Sequence, residues 1–205
     1  MDEKEIPDIV VGRLPLYLRA LQRMIQEGRQ VTSSQELGEK LGISAAQIRK
    51  DLSQFGEFGK QGTGYHIEYL VEKLREILKV DRTWDVAVVG AGDIGSAVAR
   101  YGGLANRGFC VAMIFDNDAR RVGTKVGDFT VQDSAQIPEV IQEAGIKIAL
   151  LAVPASNAQE VADELIKSGV KAILNYAPIS LNVPNDVYVQ YIDPAIHLQR
   201  MTYYL

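Results

Sequence analysis

Six residues, Gly90-Ala91-Gly92-Asp93-Ile94-Gly95, follow the apolar run at 86–89, and Asp116 closes the next apolar run, at the spacing of about twenty residues that marks a dinucleotide-binding turn. Each residue type has a task in that chemistry. Gly90 permits the tight turn, Gly92 lets backbone amides approach a pyrophosphate, and Gly95 lets the next helix pack close to the strand with its N-terminus towards the anion. Asp116 would accept both hydroxyls of an adenine ribose and repel a 2′-phosphate, so NAD rather than NADP is the expected ligand. The expected contacts are Gly90, Ala91, Gly92, Asp93, Ile94, Gly95, Ser96 and Asp116. The plainer alternative for Asp116 is a turn carboxylate after a strand.

Two later loops belong to the same argument. Val153-Pro154 and Asn175-Tyr176-Ala177-Pro178 end apolar runs, and at the carboxyl edge of a parallel sheet they would frame the nicotinamide half of the ligand. Purely structural turns use the same residue types. Around them, β-rich runs near 85–89, 110–115, 128–131, 147–152, 171–174 and 187–191 alternate with helical stretches at 94–105, 134–144 and 156–168. That alternation predicts a Rossmann-type α/β domain over 83–193, a doubly wound parallel sheet covered on both faces. A short helix over 194–205 follows, ending in Met201-Thr202-Tyr203-Tyr204-Leu205. It is too apolar to stay in water and is expected to pack on a neighbouring subunit, or else on its own domain.

Nothing after the glycine turn has the makings of a catalytic centre. Hydride transfer needs an acid or base near the nicotinamide and a place for substrate, yet His197 has no partner carboxylate at fixed spacing; before the turn, His66 has no accompanying metal ligands. Cys110, the one cysteine, reads as a small buried hydrophobe, and a chain with no internal disulfide fits a reducing compartment.

Residues 1–82 read differently. Leu14, Leu18, Leu21 and Ile25 recur at helical spacing, with Gly28 at the stop. Ser33 with Glu36 and Ser44 with Gln47 form two capping-box patterns separated by Gly42, the second with Ile43 and Ile48 as a hydrophobic staple. This is the order of a helix-turn-helix. On its last helix Ile48, Leu52 and Phe55 share one arc, while Ala46, Gln47, Lys50, Ser53 and Gln54 lie broadly opposite and Arg49 flanks them. Those exposed groups suit a major groove: amide forks for adenine, a methyl for thymine, cations for guanine or phosphate. A glycine-rich stretch between Phe58 and Tyr65 reads as a hairpin tip, or wing, carrying Lys60, Gln61 and Gly62 towards a minor groove. The candidate contacts to double-stranded DNA are Ser44, Ala46, Gln47, Arg49, Lys50, Lys60, Gln61 and Gly62. Taken alone, the helix would also pass as an ordinary capped surface helix.

Composition is compatible with both halves. The 205 residues are 47% apolar and 23% charged, enough for two compact domains. Net charge is −4, yet residues 10–66 hold eight Lys and Arg against five Asp and Glu. The charged first residues do not resemble a signal peptide, and no run reaches the roughly eighteen apolar residues of a membrane span. A cytoplasmic protein with no membrane partner is expected.

At these motifs the chain resembles the Rex family of bacterial redox-sensing transcriptional repressors over nearly its full length. The resemblance rests on Arg13-Leu14 with Tyr17-Leu18-Arg19, Gln47-Ile48-Arg49-Lys50-Asp51-Leu52, Phe55-Gly56-Glu57-Phe58-Gly59-Lys60, the glycine turn from Val89, and Ile173 through Pro178. It implies a homodimer of subunits with a winged helix, an NAD(H)-binding Rossmann domain and a C-terminal helix swapped into the partner. It further implies operator binding when NAD⁺ dominates and release by NADH. Arg19, Tyr101 and Asp193 occupy the positions that would couple the nicotinamide to domain orientation. Gln61 stands where the family commonly has arginine, which shifts minor-groove contact onto Lys60, and Pro194 replaces the usual aromatic or aliphatic residue. The second reading is a small NAD-dependent dehydrogenase with an N-terminal interaction domain, and the third a coenzyme A or other nucleotide site in a scaffold protein.

Overall fold

The computed structural model describes residues 6–60 and 62–205, and the chain divides into two compact units between Arg82 and Thr83. In the first unit, α1 (Asp8–Val11) leads into α2 (Leu14–Gln26), followed by β1 (Val31–Thr32), α3 (Ser34–Leu41), α4 (Ala45–Leu52), β2 (Gly59–Lys60), β3 (Gly64–His66) and α5 (Ile67–Ile77). β3 pairs antiparallel with both β1 and β2, so the glycine-rich stretch is the hairpin of a winged helix. Ser33 and Ser44 each accept the N3 amide of their helix, from Glu36 at 3.1 Å and Gln47 at 3.2 Å. The reciprocal half of each capping box is not made. The Glu36 carboxylate goes to Thr32 and Arg29, and the Gln47 amide goes to Asp51.

The α2 stripe is rotated from the expected one. Leu14, Tyr17, Leu21 and Met24 are the buried residues, and Leu18 and Ile25 pack at the margin. Tyr17 turns inward because its hydroxyl finds an acceptor there, Asp51 at 2.6 Å, without which burying it would be costly. Leu37, Ile48, Leu52, Ile67, Leu70 and Leu74 complete this core. α4 stops at Leu52, so Ser53, Gln54 and Phe55 follow the helix rather than belong to it, although Phe55 still packs on the core.

The second unit comprises β4 (Trp84–Val89), α6 (Asp93–Ala99), β5 (Phe109–Asp116), β6 (Lys125–Val126), β7 (Phe129–Asp133), α7 (Ile137–Ala144), β8 (Ile148–Leu151), α8 (Ala155–Lys167), β9 (Ala172–Asn175), β10 (Tyr188–Tyr191) and α9 (Pro194–Thr202). The sheet order is β10-β9-β8-β4-β5-β7-β6, parallel except for β6, which forms an antiparallel edge on β7. β4 shows why the sheet is covered on both faces. Ala87 and Val89 enter the core closed by α7 and α8, whereas Val86 and Val88 enter the opposite core beside Ala91 and Ala99, as strand alternation requires.

Three expectations are corrected here. The helix expected over 94–105 is α6 alone, followed by extended Tyr101 and a separate 3₁₀ turn over Gly102–Arg107; the Gly102-Gly103 pair is a poor helix former. The third strand is β7, which adds parallel to β5 as expected, but an unexpected β6 precedes it and pairs antiparallel with it, so the sheet ends in a small hairpin. Cys110 is exposed, not buried. It lies near the start of β5 opposite Asp85, and β7 joins the other side of β5 only from Ile114, so the first half of the strand has no strand neighbour on that side.

Candidate nucleotide site and nucleic-acid interface

The carboxyl ends of β4, β5, β8 and β9 open on a cleft of about 490 Å³. Of the predicted contacts, Gly90, Gly92, Ile94, Asp116, Val153, Pro154 and Pro178 line it. Gly90 has φ +102°, and a Cβ there would meet the Ala152 backbone; a Cβ on Gly95 would be driven into the Gly90 carbonyl oxygen. The turn therefore folds only with glycine at these two positions, and it presents the first turn of α6 to the cleft. Ser96 braces the turn by donating its hydroxyl to the Ala91 carbonyl at 2.9 Å.

Asp116 is buried and already well occupied. Its Oδ2 accepts the Ala91 amide at 2.7 Å and Arg121 Nη1 at 3.1 Å, and its Oδ1 accepts the Asp118 amide at 2.8 Å. A carboxylate has about four acceptor positions, so Asp116 pins the glycine turn to the end of β5 as well as facing the cleft. Arg120 holds the neighbouring Asp118 carboxylate down at about 2, through side-chain and then backbone hydrogen bonds. Asn175 is wholly buried: its Nδ2 donates to the Ala177 and Ile179 carbonyls and its Oδ1 accepts the Ala177 amide. Asn175 and buried Ala177 thus shape the loop that carries Tyr176 and Pro178 into the cleft, while Asp93 is exposed on α6 outside the lining.

The lining also includes Tyr176, from the loop already assigned to the nicotinamide half, and Asn117, Asp118, Arg121, Ser134 and Asn157, which sequence reasoning missed. Asn117 and Asp118 directly follow a strand whose carboxyl edge was already assigned to the ligand, so that rule could have found them. Arg121 and Asn157 carried no comparable signal. Among the described residues, no cluster of His, Cys, Asp and Glu could hold a metal ion.

In the first unit, Ser44, Ala46, Arg49 and Lys50 are exposed on or beside α4 and Gln47 is half-buried. Arg49 donates to the Ser34 hydroxyl at 2.8 Å, which holds it along the flank. Ser33, Ser34, Arg49, Gly59, Gly62, Gly64 and Tyr65 line a hollow of about 630 Å³ between α4 and the wing. Gln61 and the Lys60 side chain lie outside the described residues. On the inner side of α4 lies Asp51, fully buried, which in the sequence was only a charge and a member of the 47–52 motif. It accepts Arg13 Nε on Oδ2 at 2.6 Å and Arg13 Nη2 on Oδ1 at 2.7 Å, the Tyr17 hydroxyl on Oδ2 at 2.6 Å, and Gln47 Nε2 on Oδ1 at 2.7 Å. Burial pushes its pKa up, but these hydrogen bonds outweigh burial and hold it below the usual carboxylate range. Burial and then the hydrogen bond to Asp51 push the Tyr17 hydroxyl well above the tyrosine range.

The three residues expected to couple the units are placed as follows. Arg19 is exposed on α2. Tyr101 is 52% exposed, its ring lying over Gly103. Asp193 caps α9, its Oδ1 accepting the Ala195 amide at 2.9 Å. On α9 itself no residue is buried: Ile196, Leu198 and Met201 are each more than 60% exposed. It does not pack on its own domain.

Two family models match the chain: one described as "Putative DNA-binding protein N-terminus" over residues 5–53, and one described as CoA binding domain over residues 81–179. Among solved structures, the chain is similar to RSP, a Rex-family repressor. It superposes on RSP in complex with β-NAD⁺ and operator DNA with a TM-score of 0.93 at 39% identity, covering 98% of this chain and 92% of that one. On RSP in complex with β-NADH the TM-score is 0.88 at 37% identity, covering 97% and 93%. The redox-sensing transcriptional repressor Rex of Chloroflexus aurantiacus is 53% identical over 199 residues, 97% of this chain and 94% of that protein, and that of Carboxydothermus hydrogenoformans is 41% identical over 97% and 96%. With this identity along both units, the chain belongs to the Rex family of redox-sensing transcriptional repressors.

Proposed function

We propose that this chain represses transcription as a homodimer that binds palindromic operator DNA through its winged helices and lets go when NADH enters the second-unit cleft. The observation that carries the reading is the joining, in one chain, of a capped recognition helix beside a hairpin wing and a glycine turn pinned by Asp116 at a sheet edge. It is a repressor and not an enzyme, in keeping with relatives that are repressors. The pyrophosphate would rest against the glycine turn from Gly90 to Ser96, the adenine ribose against Asp116, and the nicotinamide against Val153-Pro154 and the loop from Asn175 through Ala177 to Pro178. Operator contacts would come from Ser44, Ala46, Gln47, Arg49 and Lys50, with Lys60, Gln61 and Gly62 of the wing.

Reduction removes the positive charge of the nicotinamide ring. A tyrosine hydroxyl and an Arg-Asp pair beside it can exchange partners in response, the role assigned to Tyr101, Arg19 and Asp193. The bare α9 supports a helix exchanged between subunits, because the apolar side chains it leaves in water need a cover. Among the described residues no helix is long and apolar enough to cross a membrane, and the reading requires the compartment where DNA and pyridine nucleotides meet, the cytoplasm. A gel shift on an AT-rich palindromic duplex tests it: NADH should weaken binding far more than NAD⁺, and equal effects would defeat the gating. The mass of a copurifying nucleotide would separate NAD(H) from coenzyme A.

A further inference from the structure

Gln47 is a reading residue that does not stand free. Its Nε2 donates to Asp51 Oδ1 at 2.7 Å, and Asp51 also receives both Arg13 donors and the Tyr17 hydroxyl. Every neighbour of this buried carboxylate is a donor, as an ionised carboxylate requires, since it can only accept. Turned through 180°, the Gln47 amide would set its Oε1 against a carboxylate oxygen, two acceptors in a buried place. Charge therefore selects one of the two amide orientations that a free glutamine would sample equally.

Made through the N–H trans to Oε1, the bond to Asp51 leaves Oε1 and the second N–H side by side on a half-buried side chain. In the major groove only adenine offers a donor, N6, next to an acceptor, N7. Guanine offers two acceptors there, cytosine a donor and thymine an acceptor. We infer that Asp51 is a positioning residue that locks the Gln47 carboxamide in the orientation that reads adenine, so that base choice at this position is set by a carboxylate that never touches DNA. The inference rests on the reading of α4 as the helix that enters the major groove. Arg13 and Tyr17 lie on or beside the start of α2, so the same carboxylate also ties the reading side chain to the helix that frames the domain.

The test is selection by the full-length protein from a random duplex pool, with base preference scored by position. The wild type should favour adenine at one position per half-site by roughly 5- to 150-fold, the range for a bidentate pair. Gln47→Ala should make that position degenerate and leave the others intact, and 7-deazaadenine placed there should weaken wild-type binding several-fold. Asp51→Asn can face Gln47 with either its oxygen or its NH2, so adenine preference should fall several-fold with guanine gaining, at an unchanged salt dependence. Preferences unaltered in Gln47→Ala, or adenine preference intact in a folded Asp51→Asn, would overturn the inference. Should Asp51→Asn not fold, wild-type NMR decides. The carboxamide protons that vanish in Gln47→Ala should exchange more slowly than those of exposed Gln26, and equal rates would refute the lock. A wild type that enriches no duplex at all would instead refute the DNA-binding reading itself, and this inference with it.

Discussion

Replacing Asp51 with alanine removes the acceptor of four hydrogen bonds at 2.6–2.7 Å from a site where the carboxylate is 0% and the Arg13 side chain 20% exposed. The wholly buried Tyr17 hydroxyl then has no acceptor, which costs about 1–3 kcal/mol. Arg13 turns part of its guanidinium to water, so its share falls short of that of a fully enclosed cation. The sum sits near the lower end of the range for breaking a buried pair from one side, about 3 of 3–5 kcal/mol. Hydrogen exchange on the full chain reads this regionally, because the first unit opens with its own free energy. Amides of α2 and α4 should exchange roughly a hundredfold faster in Asp51→Ala, while those of β4 and β8 stay as they were. Tyr17→Phe removes one hydrogen bond to a charged group, about 1.5 kcal/mol, and should give only about a tenfold rise in the same segments. If Asp51→Ala raises exchange no more than Tyr17→Phe does, the carboxylate is not the centre of the network and the energetic argument fails.

Because the folded state holds the Asp51 pKa below its ordinary value, its stabilisation is full above the unfolded value of about 4 and is lost as pH falls through the lower folded value. Urea midpoints of wild type and Asp51→Asn should therefore differ by a constant amount from pH 5 to 8 and converge below pH 4; a gap that widens with acid would contradict the sign. Gly95→Ala, whose Cβ would run into the Gly90 carbonyl, should abolish binding of NADH measured by calorimetry and leave α2 and α4 exchange unchanged. Lys50→Ala should weaken DNA binding and make the slope of log K against log salt shallower by about 1, as loss of one phosphate contact does; an unchanged slope removes Lys50 from the phosphate contacts.

The parts of this molecule that could be read in advance are those whose causes are local. Strand alternation from Val86 to Val89, the glycine turn and its answering Asp116, and the Ser33 and Ser44 caps each depend on residues close in sequence or on a recurrent unit with fixed spacing. Even there, the half of the caps that needs a side chain to return to the backbone was not legible. Glu36 has Thr32 and Arg29 as competitors, and Gln47 has Asp51. The α2 stripe came out rotated for the same reason. Periodicity ranks Leu18 and Ile25 as well as Tyr17, and only a carboxylate brought in from α4, 34 residues away, makes it favourable to bury the phenol.

Asp51 itself marks the boundary of what pattern can give. In sequence it stands between Lys50 and Leu52 near the end of an amphipathic helix, where an acidic residue would normally be solvated. Nothing in spacing separates it from Asp163 or Glu164 on α8. Its burial depends on three donors converging from α2 and from its own helix, a condition that exists only once the helices have packed. The functional consequence runs the same way. A glutamine on a recognition helix reads as a free amide able to turn either face to a base, and it becomes a one-way reader when the carboxylate one turn on, Asp51, is buried and held ionised by Arg13 and Tyr17. A sequence reading can therefore nominate the residues that meet the DNA, while which base they prefer is decided one layer further in.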